Sequence, residues 1–167
     1  MNSLLRVGVL LLAVAALYGF TRLVATHSGV RDRWLETGKE YTVDSLKKWM
    51  NDDTARAARY AFPVLVPFDL VFLVFLGATL AVASVMSASA VSGLSGVAWL
   101  FVLLPALYVG LDVAEDALLV GFLTRPDMIT VGMVTVVLAL TWIKIWAVKL
   151  AVGQTVILAL VAAFWRR

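Results

Sequence analysis

The stretch Trp99-Leu-Phe-Val-Leu-Leu-Pro-Ala-Leu-Tyr-Val-Gly-Leu-Asp-Val-Ala-Glu-Asp-Ala-Leu-Leu-Val-Gly-Phe122 decides the fold class. Its first half carries no charge at all, and then Asp112, Glu115 and Asp116 follow within little more than one helical turn. A run this long and this apolar has the composition of a helix crossing a bilayer, which takes about 20 residues. Three carboxyl groups inside such a helix call for a physical explanation.

The whole chain carries the same signature. Of its 167 residues 62% are hydrophobic and 15% charged, against roughly 45–50% and about 25% in soluble domains. The net charge of +3 arises from 14 basic and 11 acidic residues, with no basic stripe interleaved with stacking aromatics, so nucleic-acid binding is excluded. There is no cysteine, which removes disulfides, thiolate metal sites and cysteine nucleophiles. His27 is the only histidine, too little for a zinc, haem or serine–histidine centre, and its plain reading is a solvated loop residue.

Working outward, four spans emerge in a single membrane domain, 1–167. The first covers about Leu4–Val24, its uncharged centre flanked by Arg6 and Arg22, whose long stems reach the headgroups. It has the outline of a signal peptide, but Leu23-Val-Ala25 is a poor small-residue cleavage site, so a retained helix is expected. The second span is about 60–85, with Pro63 and Pro67 as kinks in its first turns. The third is about 97–123, ended by Thr124-Arg-Pro-Asp, with Asp127 as a cap for the fourth, about 128–165. As one helix that last segment is about 57 Å long against a core of about 30 Å, so it either projects beyond the lipid or breaks near Gly153.

Between the first two spans lies the only polar region, about 26–59. Glu40-Tyr-Thr-Val-Asp-Ser-Leu-Lys-Lys-Trp-Met50 reads as a short amphipathic helix with Thr42 as N-cap and Val43, Leu46 and Met50 on one face. Asn51-Asp-Asp-Thr starts a further helix leading into the second span. The segment is expected to lie on the membrane surface as a collar, with Trp34 and Trp49 at the interface. The fold expected is therefore all-α: an integral membrane four-helix bundle with an amphipathic interfacial helix between spans one and two. The basic residues of the polar loop put both termini outside, in a bacterial inner membrane.

Antiparallel spans permit a depth calculation. With turns near residues 91 and 127, Asp69 stands level with about residue 114 and Asp112 with about residue 142, leaving Lys144 about 3 Å away along the axis. Asp69, Asp112, Asp116 and Lys144 thus converge from three helices. Asp112 and Asp116 share a face, while Glu115 lies on its edge and is the least certain member. Lys149 is rotated about 140° from Lys144 and is expected to snorkel or to face a partner chain, being, like Gln154, at most an auxiliary group.

Each charge at a helix centre costs about 2.5–3.5 kcal/mol on the lenient insertion scale, and such groups face a bundle interior and pair. Four carboxyls around one or two lysines cannot all ionise cheaply, so the site keeps a proton or recruits a cation. The function this implies is binding or conducting a proton, a small cation or a cationic amphiphile, with Asp69, Asp112, Glu115, Asp116 and Lys144 as the site. A homo-oligomer is expected if a substrate crosses the membrane. The alternative is an accessory or assembly subunit of a larger membrane complex, its charges acting as structural glue. Paired carboxylates also permit acid–base catalysis, but no nucleophile, metal set or cofactor motif accompanies them, and an enzyme is the lesser reading.

The order of the motifs Tyr41-Thr-Val-Asp, Asp69-Leu-Val-Phe72, Pro105 with Asp112-Val-Ala-Glu-Asp116, and Thr141-Trp-Ile-Lys144 resembles a loose group of uncharacterised bacterial four-span membrane proteins. Their successive spans carry Asp-x-x-Phe, Asp-x-x-Glu-Asn and Thr-x-x-Lys. The resemblance covers about residues 40–165 and implies the architecture and the choice of site residues, not an activity. Asp116 stands where the group has asparagine.

Overall fold

The computed structural model describes residues 3–27 and 41–165. They form helices α1 (Ser3–His27), α2 (Val43–Asp52), α3 (Thr54–Arg59), α4 (Leu70–Ser89), α5 (Leu103–Thr124) and α6 (Val131–Trp165), with no strand among the described residues. The protein is all-α, and α1, α4, α5 and α6 form a helical bundle in which α5 packs on α6, and α4 packs on α1, α5 and α6. Among the described residues three segments are long and apolar enough to cross a membrane: Thr54–Ser89, Ser95–Thr124 and Val131–Trp165. They match the second, third and fourth spans expected from sequence. Of the expected first span, α1 runs over Ser3–His27, with Leu11–His27 as its apolar stretch among the described residues.

The amphipathic helix forms where its pattern places it. Thr42 caps α2 through Ser45 in a reciprocal capping box, and Leu46 and Met50 are buried. Asp53 then caps α3 by accepting from the Arg56 amide at 2.8 Å. Arg56 lies over the Trp49 ring at 4.6 Å and donates to the Trp49 carbonyl, locking the two helices together. The earlier part of the expected collar, residues 28–40 with Trp34, lies outside the described residues. His27 closes α1 rather than standing in a loop, its Nδ1 2.9 Å from the Leu23 carbonyl.

The second span opens with more than the kinks expected at Pro63 and Pro67. Phe62 and Val66 take extended backbone between α3 and α4, so Tyr60–Asp69 is irregular and regular helix begins only at Leu70. Each precedes a proline, and proline disfavours helical backbone in the residue before it. Such backbone is tolerated at membrane depth only inside protein. Here Tyr60, Ala61, Val64 and Leu65 are buried in one apolar cluster with Leu119, Phe122 and Val137.

The third span also begins differently. Ser95–Val102 winds as a tighter 3-10 helix before α5 starts at Leu103. Pro105 therefore falls in the first turn of α5, where its missing amide donor costs nothing. Asp127 sits in a short turn, Pro126–Met128, and it is Thr130 whose hydroxyl accepts from the Met133 amide at the start of α6. α6 is unbroken through Gly153, and its 35 residues reach about 52 Å.

At Gly77 α4 packs tightly against α5, where an added Cβ would run into Cγ2 of Val109. Gly77→Ala should therefore destabilise the bundle by about 1–3 kcal/mol, as overpacking does. Thermal unfolding in detergent should show the loss, and adding Val109→Ala should restore most of it.

Candidate functional site: a buried acid–lysine cluster

The centre of the site is a single ammonium. Lys144, on α6, pairs with Asp112 and with Glu115, both on α5. Glu115 also accepts a hydrogen bond from the Thr141 hydroxyl, one turn before Lys144. The Val137 carbonyl lies 3.0 Å from the same hydroxyl, whose single proton is shared between the two acceptors. The pairs Asp112–Lys144 and Glu115–Thr141 share one antiparallel register, centred on residue 128.

All the groups concerned are buried: Asp69, Asp112, Glu115, Asp116, Thr141 and Lys144, with Glu115 fully enclosed. Glu115, expected to be the least certain member, is thus the carboxylate held by two partners. The reason lies in packing: α6 crosses α5 on the Glu115 side of the Asp112 face, so the edge of that face points at Lys144.

Tyrosines stand on either side. Tyr108, one turn before Asp112 on α5, hydrogen-bonds to that carboxylate, with Asp69 and Asp116 in electrostatic reach of the same hydroxyl. Tyr41, at the threshold of α2, is buried within electrostatic reach of Glu115 and Lys144. Burial first, and the Glu115 charge second, push the Tyr41 hydroxyl well above the ordinary tyrosine range. Sequence reasoning assigned no site role to Tyr41, Tyr108 or Thr141. Tyr108 and Thr141 carried a usable signal, a one-turn spacing from Asp112 and Lys144; Tyr41 carried only its place at the head of the Tyr41-Thr-Val-Asp motif.

The two auxiliary residues lie elsewhere. Lys149 is exposed and sits over the Trp146 ring at 4.9 Å. Gln154 is about 15 Å beyond Lys144 along α6 and belongs to a second polar knot. Its amide donates to the Phe101 carbonyl at 2.8 Å and to Ser84, and Ser84 bonds Thr155 at 2.8 Å. The Phe101 carbonyl comes from the 3-10 segment, so Gln154 satisfies backbone at the entry to the third span rather than serving the acid cluster.

Four carboxyl groups therefore share a buried region with one ammonium. Among the described residues no three of Asp, Glu or His converge closely enough to hold a metal ion. The arrangement can store a proton among carboxyls and exchange an internal ammonium for another cation. Comparison with protein-family models, curated proteins and solved structures finds no match.

Removing one partner of a buried pair leaves the other charge stranded, a cost of about 3–5 kcal/mol. Lys144→Met should lower stability by that amount in a detergent melt. The triple variant Lys144→Met, Asp112→Asn, Glu115→Gln should recover much of it, since no charge is then abandoned. For Tyr41 the sign is also defined. A folded state that holds the proton longer than the unfolded state loses stability as pH rises past about 10. Alkaline unfolding followed by circular dichroism should shift to higher pH in Tyr41→Phe.

Proposed function

We propose that this protein is an integral membrane protein whose buried acid–lysine cluster binds and exchanges a proton, with a small cation or a cationic amphiphile as the competing occupant. The observation that carries this reading is the excess of acid: Asp69, Asp112, Glu115 and Asp116 are all buried with Lys144 as the one ammonium among them. Ionising every carboxyl there would concentrate uncompensated negative charge in a medium that opposes it. A bound proton relieves this with no change in packing. The spacing of the carboxyls, which gather no metal-holding trio among the described residues, favours a proton over a coordinated ion.

In this reading Asp112 and Glu115 hold the internal counter-ion Lys144, while Asp69 and Asp116 are the exchanging acids. An incoming cation would displace Lys144 from one carboxylate, coupling occupancy to the α5–α6 contact. The setting proposed is a bacterial inner membrane, with α1 as the fourth span that the resemblance implies and both termini outside, as the basic residues of the polar loop direct. Passage of anything larger than a proton would call for several copies around a shared path.

Reconstitution in liposomes tests the proposal. Proton flux under an imposed gradient should exceed that of protein-free vesicles and fall to background in Asp69→Asn and Asp112→Asn. Background flux for the parent, with the variants differing only in stability, would leave the cluster a purely structural device.

A further inference from the structure

The outer face of α6 carries a charge that the bundle does not answer. Lys149 is exposed, and among the described residues its only recorded partner is the Trp146 ring. It stands five residues beyond Lys144 and is turned about 140° away from it, so it takes no part in the acid cluster. Trp142, Trp146 and Lys149 are spaced as one stripe along the helix, and all three are exposed.

The level of this stripe is apolar all round. Lys149 lies about 27 Å from the start of α6 and about 24 Å from its end. The Ser84–Thr155 contact sets α4 beside α6, which brings the exposed Val74 and Phe75 near the level of Lys149. The α5–α6 register does the same for Leu107. Sliding a core of about 30 Å until Lys149 met the headgroups would strand exposed apolar residues in water. Those would be Val131 and Val136 at one end, or Ile157 and Phe164 at the other. The ammonium therefore stands inside the apolar slab, where a lipid-facing charge is expensive and calls for a partner.

We propose that the Trp142–Trp146–Lys149 stripe is the docking face for a different membrane protein, through a transmembrane helix that presents a carboxylate at this level. Charge complementarity selects the occupant. Among the described residues a second copy of this chain offers no acid for it: at this depth the carboxyls are buried, and Asp44, Asp52, Asp53 and Asp127 stand at the polar ends. Two copies related by an axis along the membrane normal would also bring Lys149 against its own counterpart. A partner helix with one carboxylate and an apolar flank for the two indole rings meets every requirement. This inference is independent of what the acid cluster binds.

Photocrosslinking of the full chain in its native membrane tests it, with Trp142 replaced by p-benzoylphenylalanine. A single heterologous membrane protein should be captured. Its yield should drop at least about tenfold in Lys149→Glu and Lys149→Met and hold in Lys149→Arg. Replacing that protein's transmembrane carboxylate with lysine should restore capture by Lys149→Glu. Lys149→Met removes a lipid-facing charge, so its thermal melt should match the parent's and keep a loss of capture distinct from misfolding. Capture of lipid alone, capture of a second copy of the chain, or a yield indifferent to residue 149 would each overturn the proposal.

Discussion

One ammonium held between two carboxylates of another helix organises this membrane domain. In water the Lys144 pairings with Asp112 and Glu115 would be worth little. In an apolar surrounding they are costly to separate, because whichever charge is left behind has no solvent to accept it. A slip of α6 by one turn along α5 would break both pairings and the Thr141 hydrogen bond together. The register of the two helices follows from that penalty, and small residues complete it: Ala147 and Ala151 are buried where bulk would hold the helices apart.

Two apolar layers isolate the cluster. Toward the polar loop, Tyr41, Leu46, Leu119 and Phe122 belong to one buried group; further along the bundle, Leu73, Tyr108 and Ala147 form another. Beyond the second layer the Gln154–Ser84–Thr155 knot provides hydrogen bonds without charge. The bundle thus separates two polar jobs by depth. Charged groups sit where helix register must be set. Neutral groups sit where the 3-10 entry to the third span leaves a carbonyl to satisfy. Each layer also brings a tyrosine near the carboxyls, Tyr41 beside Glu115 and Tyr108 beside Asp112.

Much of this was legible before any coordinates. Apolar run lengths gave the helical class, and turn positions near residues 91 and 127 placed Lys144 within about 3 Å of the Asp112 level. The observed pairs need a centre at residue 128, so the depth estimate erred by less than a turn. The α2 helix was equally readable, because Thr42 and Ser45 act locally. The irregular Tyr60–Asp69 segment was not: two prolines announce a disturbance, but whether it is a kink or a full break depends on whether surrounding protein can shield the backbone. Here Leu119, Phe122 and Val137 pack in one buried cluster with Tyr60, Ala61, Val64 and Leu65, while Phe62 itself stays exposed.

The sequence by itself determined which groups lie at which depth, since rise per residue and turn position are properties of a single chain segment. Tertiary structure decided which of them touch. Glu115 illustrates the division: helical phase put it on the edge of the Asp112 face, and only the crossing of α6 turned that edge into the most enclosed position in the cluster. Rotation of one helix about its axis against another is set by the summed packing of both surfaces. No periodicity within either helix contains that sum, and so Tyr41, Tyr108 and Thr141 became neighbours of the charges only once the bundle had closed.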